Sequence, residues 1–262
     1  MKLRFWRRDR VTLVRLDGVI GGRGLRWEKV RPAVEKAFAG RKPPKAVLLV
    51  INSPGGSPME SDVIAREIRR RADKRKVPVI AFVEQIGASG GYWLACAADE
   101  IFVMSPMSLV GSIGVISAGF GFVGLLDRLG VERRVLTRGI NKMRLDPFQP
   151  ERETDREWLA GLQGDIHAAF VAHVKERRNG RLKGDDDTLF NGDVFLGQRA
   201  LELGLVDGVE LPHRYAEQRY KGATVQVIHG PRKPLLARLL RGGGDALADD
   251  LTESLMRARY GL

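Results

Sequence analysis

The sequence predicts an α/β fold in which a largely parallel sheet is wrapped by helices. Two observations carry that expectation. Short apolar runs of strand length alternate with longer segments of helical spacing, and turns marked by glycine or proline separate them. In order, Val11 to Leu16 alternates as a strand does, and Trp27 to Ala39 has helical spacing. Lys45 to Ile51 is a buried strand that runs into Asn52-Ser53-Pro54-Gly55-Gly56. Met59 to Lys74 reads as an amphipathic helix with Val63, Ile64 and Ile68 on one side. Val77 to Val83 is a second buried strand, Ser89 to Ala98 a short apolar helix, and Glu100 to Met104 a third strand. Phe122 to Leu129 is a helix closed by Gly130, and Glu132 to Thr137 is expected as a further strand.

The pattern changes after Pro147. Glu151 to Arg178 is one long helical stretch in which Trp158, Leu162, Ile166, Phe170 and Val174 recur every four residues, giving a broad apolar stripe. Gly197 to Leu203 is a short helix and Thr224 to Ile228 a last strand, while Asp245 to Arg259 has the pattern of a terminal amphipathic helix. The expected division is a basic tail over 1–10, one domain over 11–230, and a basic linker with an amphipathic tail over 231–262.

With 262 residues the chain is long enough to bury a sizeable core. Its single cysteine, Cys96, excludes an internal disulfide and a cysteine-rich metal site, and its apolar setting reads as a small buried hydrophobe. The formal net charge is +12, but the basic residues are scattered and no nucleic-acid-binding motif is present, so no nucleic-acid partner is expected. No run reaches membrane-spanning length, and no apolar segment follows the basic start, so a cytoplasmic location is expected. Phe5 and Trp6 lie among Lys2, Arg4, Arg7, Arg8 and Arg10, a composition suited to weak contact with an anionic membrane surface.

Two glycine-rich turns could carry chemistry. In Asn52-Ser53-Pro54-Gly55-Gly56-Ser57 a buried strand meets paired glycines and then a helix. Such a turn brings backbone N–H groups close to a ligand at the positive end of a helix dipole, as an oxyanion hole requires; it is also an ordinary tight turn. In Gly87-Ala88-Ser89-Gly90-Gly91-Tyr92 a serine stands between small residues at a strand-to-helix junction, where such a turn can expose its hydroxyl and the Gly90 N–H can point at the same oxyanion. A serine nucleophile needs a base. His167, His173, His213 and His229 lie in helical or C-terminal segments and none occupies an active-site turn. Lys142, in the loop Thr137-Arg138-Gly139-Ile140-Asn141-Lys142-Met143, is the candidate, although a loop lysine alone reads as a solvated residue.

Taken together, these segments resemble the SppA family of signal peptide peptidases. The resemblance rests on Val50-Ile51-Asn52-Ser53-Pro54-Gly55-Gly56, Ala88-Ser89-Gly90-Gly91-Tyr92-Trp93-Leu94-Ala95, Gly111-Ser112-Ile113-Gly114-Val115, and Lys142 in its loop. Gly192-Asp193-Val194-Phe195-Leu196-Gly197 leading to Leu203-Gly204-Leu205-Val206-Asp207 resembles the family's closing segment. The resemblance implies a fold similar to ClpP and the crotonases, built from repeated β-β-α units. It implies a catalytic Ser–Lys dyad of Ser89 and Lys142, with oxyanion N–H groups from Gly56 and Gly90, and peptide binding by Gly55, Ser112 and Ile113. It further implies apolar peptide substrates such as signal-peptide remnants, no cofactor or metal, and a ring of identical subunits. The rival readings are a crotonase-like acyl-CoA enzyme, which would use the glycine-lined hole for an enolate, and a scaffold without activity.

Overall fold

The computed structural model describes residues 9–229 and 254–260. The chain traces β1 (Arg10–Asp17), α1 (Trp27–Phe38), β2 (Val47–Ser53), α2 (Pro58–Arg75), β3 (Val79–Ala88), α3 (Gly90–Ala95), β4 (Glu100–Val103) and β5 (Leu109–Gly111). It continues through α4 (Val123–Leu129), α5 (Glu153–Arg177), α6 (Asp186–Leu189), β6 (Val194–Leu196), α7 (Gly197–Glu202), β7 (Gly208–Val209), α8 (Pro212–Arg219) and β8 (Thr224–Ile228). The sheet runs β6-β5-β3-β2-β1-β8, and β4 pairs with both β3 and β7. Every pairing is parallel except β5 with β6.

The central strands are apolar on both faces because both faces are covered, as parallel sheets require. Val47, Leu49 and Ile51 of β2 join Val79, Ala81 and Val83 of β3 in a core with α1, α2 and α3. The alternate residues Leu48, Val50, Ile80 and Phe82 pack on the other face with Tyr215 and Ala216 of α8. Strand β3 then changes partner. Its first part pairs with β4 up to Val83, its last part pairs with β5 from Ile86 to Ala88, and its register against β2 shifts between Ile51 and Ser53. The bulge re-aims the end of β3, which leads directly into Ser89.

Two units are distinguished within the stretch expected as one domain: Val115–Ala169, and the remainder. Helix α5 begins in the first and ends in the second. In Val115–Ala169 the expected helix is present as α4, with Gly130 closing it at φ 62°. The strand expected over Glu132 to Thr137 is absent: the segment joins no strand and all its residues are exposed. A strand needs an edge to add to, and no sheet strand lies in this unit. The short strands β5, β6 and β7 were not expected, being too brief to carry a period. The calls on the basic tail, with Phe5 and Trp6, and on residues 230–253 lie outside the described residues. Of the terminal helix expected over Asp245 to Arg259, a turn over 254–258 falls within them. Among the described residues no helix is long and apolar enough to cross a membrane.

Candidate active site

Ser89 caps the N-terminus of α3 with φ 51° and ψ −122°, and its hydroxyl makes no capping hydrogen bond. Left-handed φ is costly for a residue with a Cβ. The conformation is held because the Ser89 N–H donates to the Gly111 carbonyl of β5 at 2.8 Å, while its own carbonyl accepts from Tyr92 and Trp93 at 2.9 and 3.0 Å. The strand on one side and the helix on the other therefore force the turn.

The second glycine turn packs directly against it. A Cβ built on Gly55 (φ +105°) would stand 2.7 Å from Ser89 Cβ and 3.0 Å from the Gly90 nitrogen. A Cβ on Gly56 would collide with the Ile20 carbonyl oxygen at 2.1 Å, and one on Gly90 would lie 3.5 Å from the Gly56 nitrogen. Both predicted oxyanion glycines thus share one patch with the predicted nucleophile. Gly90, as the first residue of a helix, has an N–H without an intrahelical acceptor. Gly56 leads into α2, which Pro58 opens and Ser57 caps by accepting from the Glu60 N–H. The Glu60 carboxylate in turn accepts the Trp27 N–H at 2.8 Å, fixing the start of α1 to that of α2.

Ser112 and Ile113 follow β5, beside Ser89. Ser112 adopts φ 50°, and its N–H donates to the Asp193 carbonyl at 2.5 Å. Its hydroxyl lies 3.1 Å from the Tyr260 phenol. Ile113 is fully buried, so its side chain is part of the core.

Helix α3 is anchored at its far end by groups that sequence reasoning left aside. His173 Nε2–H donates to the Trp93 carbonyl at 3.3 Å, and its ring stacks on the Trp93 indole. Burial lowers the His173 pKa. Arg177 donates to the carbonyls of Cys96 and Ala98, and Arg69 to that of Ala97. Cations at the carbonyl end of a helix satisfy orphan acceptors and complement its dipole. Tyr92 donates to the Leu205 carbonyl at 2.6 Å, and Arg178, 1% exposed, binds Asp207 and the Gly204 carbonyl. The segment that closes the family pattern therefore bolts down the helix behind Ser89. Burial pushes the Cys96 thiol up to about 12, so it is an inert core residue as expected.

Lys142 belongs to the unit Val115–Ala169, on an exposed turn closed by its N–H donating to the Gly139 carbonyl at 3.1 Å.

Comparison with known proteins identifies the family. The model described as Peptidase family S49 matches residues 71–226, a span that includes Ser89 and Lys142. A Brucella abortus protein named Na(+)/H(+) antiporter NhaA is 44% identical over 274 residues, covering 96% of this chain and 37% of that protein. The chloroplastic serine protease SPPA of Arabidopsis thaliana is 30% identical over 216 residues, covering 77% of this chain and 31% of that protein. The chain thus spans about a third of the length of these relatives, and the transport activity named for the first is not carried over. Among solved structures, the S97A mutant of the 1510-N membrane-bound stomatin-specific protease shares the fold at a TM-score of 0.55 and 14% identity, covering 86% of this chain and 99% of that one. With the family model spanning more than half of its residues, and with a ClpP-like α/β architecture, the chain belongs to peptidase family S49.

Proposed function

We propose that the chain is a serine peptidase that cleaves apolar peptides with Ser89 as nucleophile and Lys142 as general base. The observation that carries this reading is the strained Ser89 turn, its hydroxyl uncommitted to the helix it caps, set against the backbone of Gly55, Gly56 and Gly90. In the reaction, Ser89 Oγ attacks the peptide carbonyl carbon and its proton passes to Lys142 Nζ. The oxyanion of the tetrahedral intermediate receives hydrogen bonds from the Gly56 and Gly90 N–H groups. Collapse breaks the C–N bond, and Lys142 returns the proton to the leaving amine. Water, deprotonated by Lys142, then attacks the acyl ester, and as the ester C–O bond breaks Lys142 returns that proton to Ser89 Oγ. Gly55, Ser112 and Ile113 border the peptide's path.

A lysine base must shed its proton near neutral pH, which requires removal from water or neighbouring cations. Lys142 is exposed on the isolated chain, so the reading includes assembly of identical subunits, most simply a ring, that covers it.

The test uses a fluorophosphonate, whose phosphorus is attacked by an activated serine to form a phosphonate ester as the P–F bond breaks and fluoride leaves. Wild type should label and hydrolyse apolar peptides, and Ser89→Ala should do neither while melting as a folded protein. Lys142→Arg should be inactive, because guanidinium stays protonated. Labelling retained in Ser89→Ala overturns the nucleophile. An unlabelled wild type favours the crotonase-like reading, in which the hole stabilises an enolate without a nucleophilic serine.

A further inference from the structure

A general base works only where it is held, and the loop that carries Lys142 is itself neither strand nor helix. Within Val115–Ala169 the stretch 139–149 is a chain of turns. Lys142, Arg144, Asp146 and Gln149 donate their N–H groups three residues back, to Gly139, Asn141, Met143 and Asp146. At Leu145 the backbone is forced to φ 56°, a strained value for a residue with a branched side chain. Turns of this kind keep one shape only when their surroundings over-determine it.

The determining group is Asp155 in the first turn of α5, a carboxylate only 3% exposed. Its Oδ2 accepts the N–H of the strained Leu145 at 3.4 Å. The Arg144 Nε lies 3.4 Å from its Oδ1, an ion pair without the alignment of a hydrogen bond. From the other side Arg152 grips the same carboxylate through Nε at 3.0 Å and Nη2 at 2.9 Å. The Arg144 guanidinium also lies over the Trp158 ring at 5.0 Å. A second tie follows at once: Asp146 pairs with Arg133 and accepts the Phe148 N–H at 3.1 Å. The loop is therefore pinned at three successive residues, beginning two beyond Lys142.

We infer that Asp155 is a positioning residue for Lys142. Its buried carboxylate, shared between Arg152, the residue before α5, and the Arg144–Leu145 turn, fixes the loop that carries the lysine amine. The inference rests on the reading of Lys142 as the base. A merely structural role for the same carboxylate would affect how many molecules fold. A positioning role affects how fast each folded molecule reacts, and only through Lys142.

The experiment measures fluorophosphonate labelling of the full chain, recording both the rate constant and the fraction of chains labelled at completion. Asp155→Asn should label to wild-type completion, at a rate reduced roughly 10- to 100-fold, the scale expected when a catalytic group is misplaced by about an ångström. Lys142→Ala should be slower still, and the double variant no slower than Lys142→Ala alone, because both act through one group. Asp155→Glu should recover part of the rate. Should Asp155→Asn fail to fold, Arg144→Met, which leaves the Asp155–Arg152 pair intact, carries the same comparison. A wild-type rate constant in the folded variant overturns the inference, whatever fraction labels. So does a double variant slowed below Lys142→Ala by the full single-variant factor, and in that case the Ser89–Lys142 reading survives. A wild-type rate in Lys142→Ala removes the base itself, and the inference falls with it.

Discussion

At the scale of single residues, the chemistry is set by backbone conformations that ordinary side chains resist. Gly55 stands where any Cβ would strike that of Ser89, and Ser89 itself accepts left-handed geometry because the Gly111 carbonyl and α3 hold both its ends. The glycine turns were legible because such constraints are local: a serine between small residues after a strand has few other uses. His173 was not legible as more than a helix residue. Its partner, the Trp93 carbonyl, is distant in sequence and no spacing rule connects them. Its burial has a consequence for pH. With the folded pKa below the ordinary 6.5, the unfolded chain takes up the proton first as pH falls. The neutral ring's contribution is complete above about pH 6.5 and is lost as pH drops toward the depressed folded value. Arg177 acts in the same direction, while the Trp93 carbonyl, Glu176 and Asp62 oppose it. The thermal midpoint should therefore fall between about pH 7.5 and 5.5. His173→Phe, which keeps the stacking and cannot ionise, should flatten that part of the profile. An unchanged slope in the variant would show that the ring does not contribute.

At the scale of elements, α5 meets two environments along one apolar stripe. Phe170 and Val174 are buried, whereas Trp158 and Leu162 are 44% and 43% exposed. The four-residue spacing was enough to recognise the helix, but periodicity reports which face is apolar, and not what covers it. Arg177, the last residue of α5, binds the carbonyls of Cys96 and Ala98 that follow α3, and Arg178, the next residue, binds the segment Gly204–Asp207. A fully buried guanidinium is costly unless every donor is used, and truncating one partner strands the other. Arg178→Ala should accordingly lose about 3–5 kcal/mol of unfolding free energy in urea, because the Gly204 carbonyl loses its guanidinium and Asp207 keeps only the Ile101 N–H and the more distant Arg181. A loss below about 1 kcal/mol would mean that water replaces the guanidinium at little cost.

For the whole molecule, the apolar surface is unevenly distributed. In the segment from Val110 to Leu126, Val110 and Ile113 are fully buried, whereas Ile116 and Phe120 beyond Gly114 are 66% and 81% exposed. Leu136 and Ile140, on the approach to Lys142, are 99% and 89% exposed. Isolated exposed hydrophobes are unexceptional, but this many in one unit of a chain suggests a surface that another copy covers. Light scattering over a concentration series should give a mass several times that of the chain. Leu136→Glu with Ile140→Glu should reduce the mass and slow fluorophosphonate labelling in parallel. A wild type that stays monomeric at the highest concentration would remove assembly from the mechanism.

The longer strands and helices, Glu132 to Thr137 excepted, the parallel sheet, and the turns at Gly55, Gly56, Ser89 and Gly90 were determined by the sequence alone. Each is written in short-range patterns: two-residue and near-four-residue periods, and the few residue types that tolerate unusual φ. Only the tertiary structure decided that β3 exchanges β4 for β5 at its bulge, that Glu132 to Thr137 joins no strand, and that Asp155 grips the loop of Lys142. An acidic residue in the first turn of a helix serves the dipole in any sequence, so Asp155 carried no signal of its own. Its burial, and its hold on Leu145 and Arg144, exist only once the chain has folded back on itself.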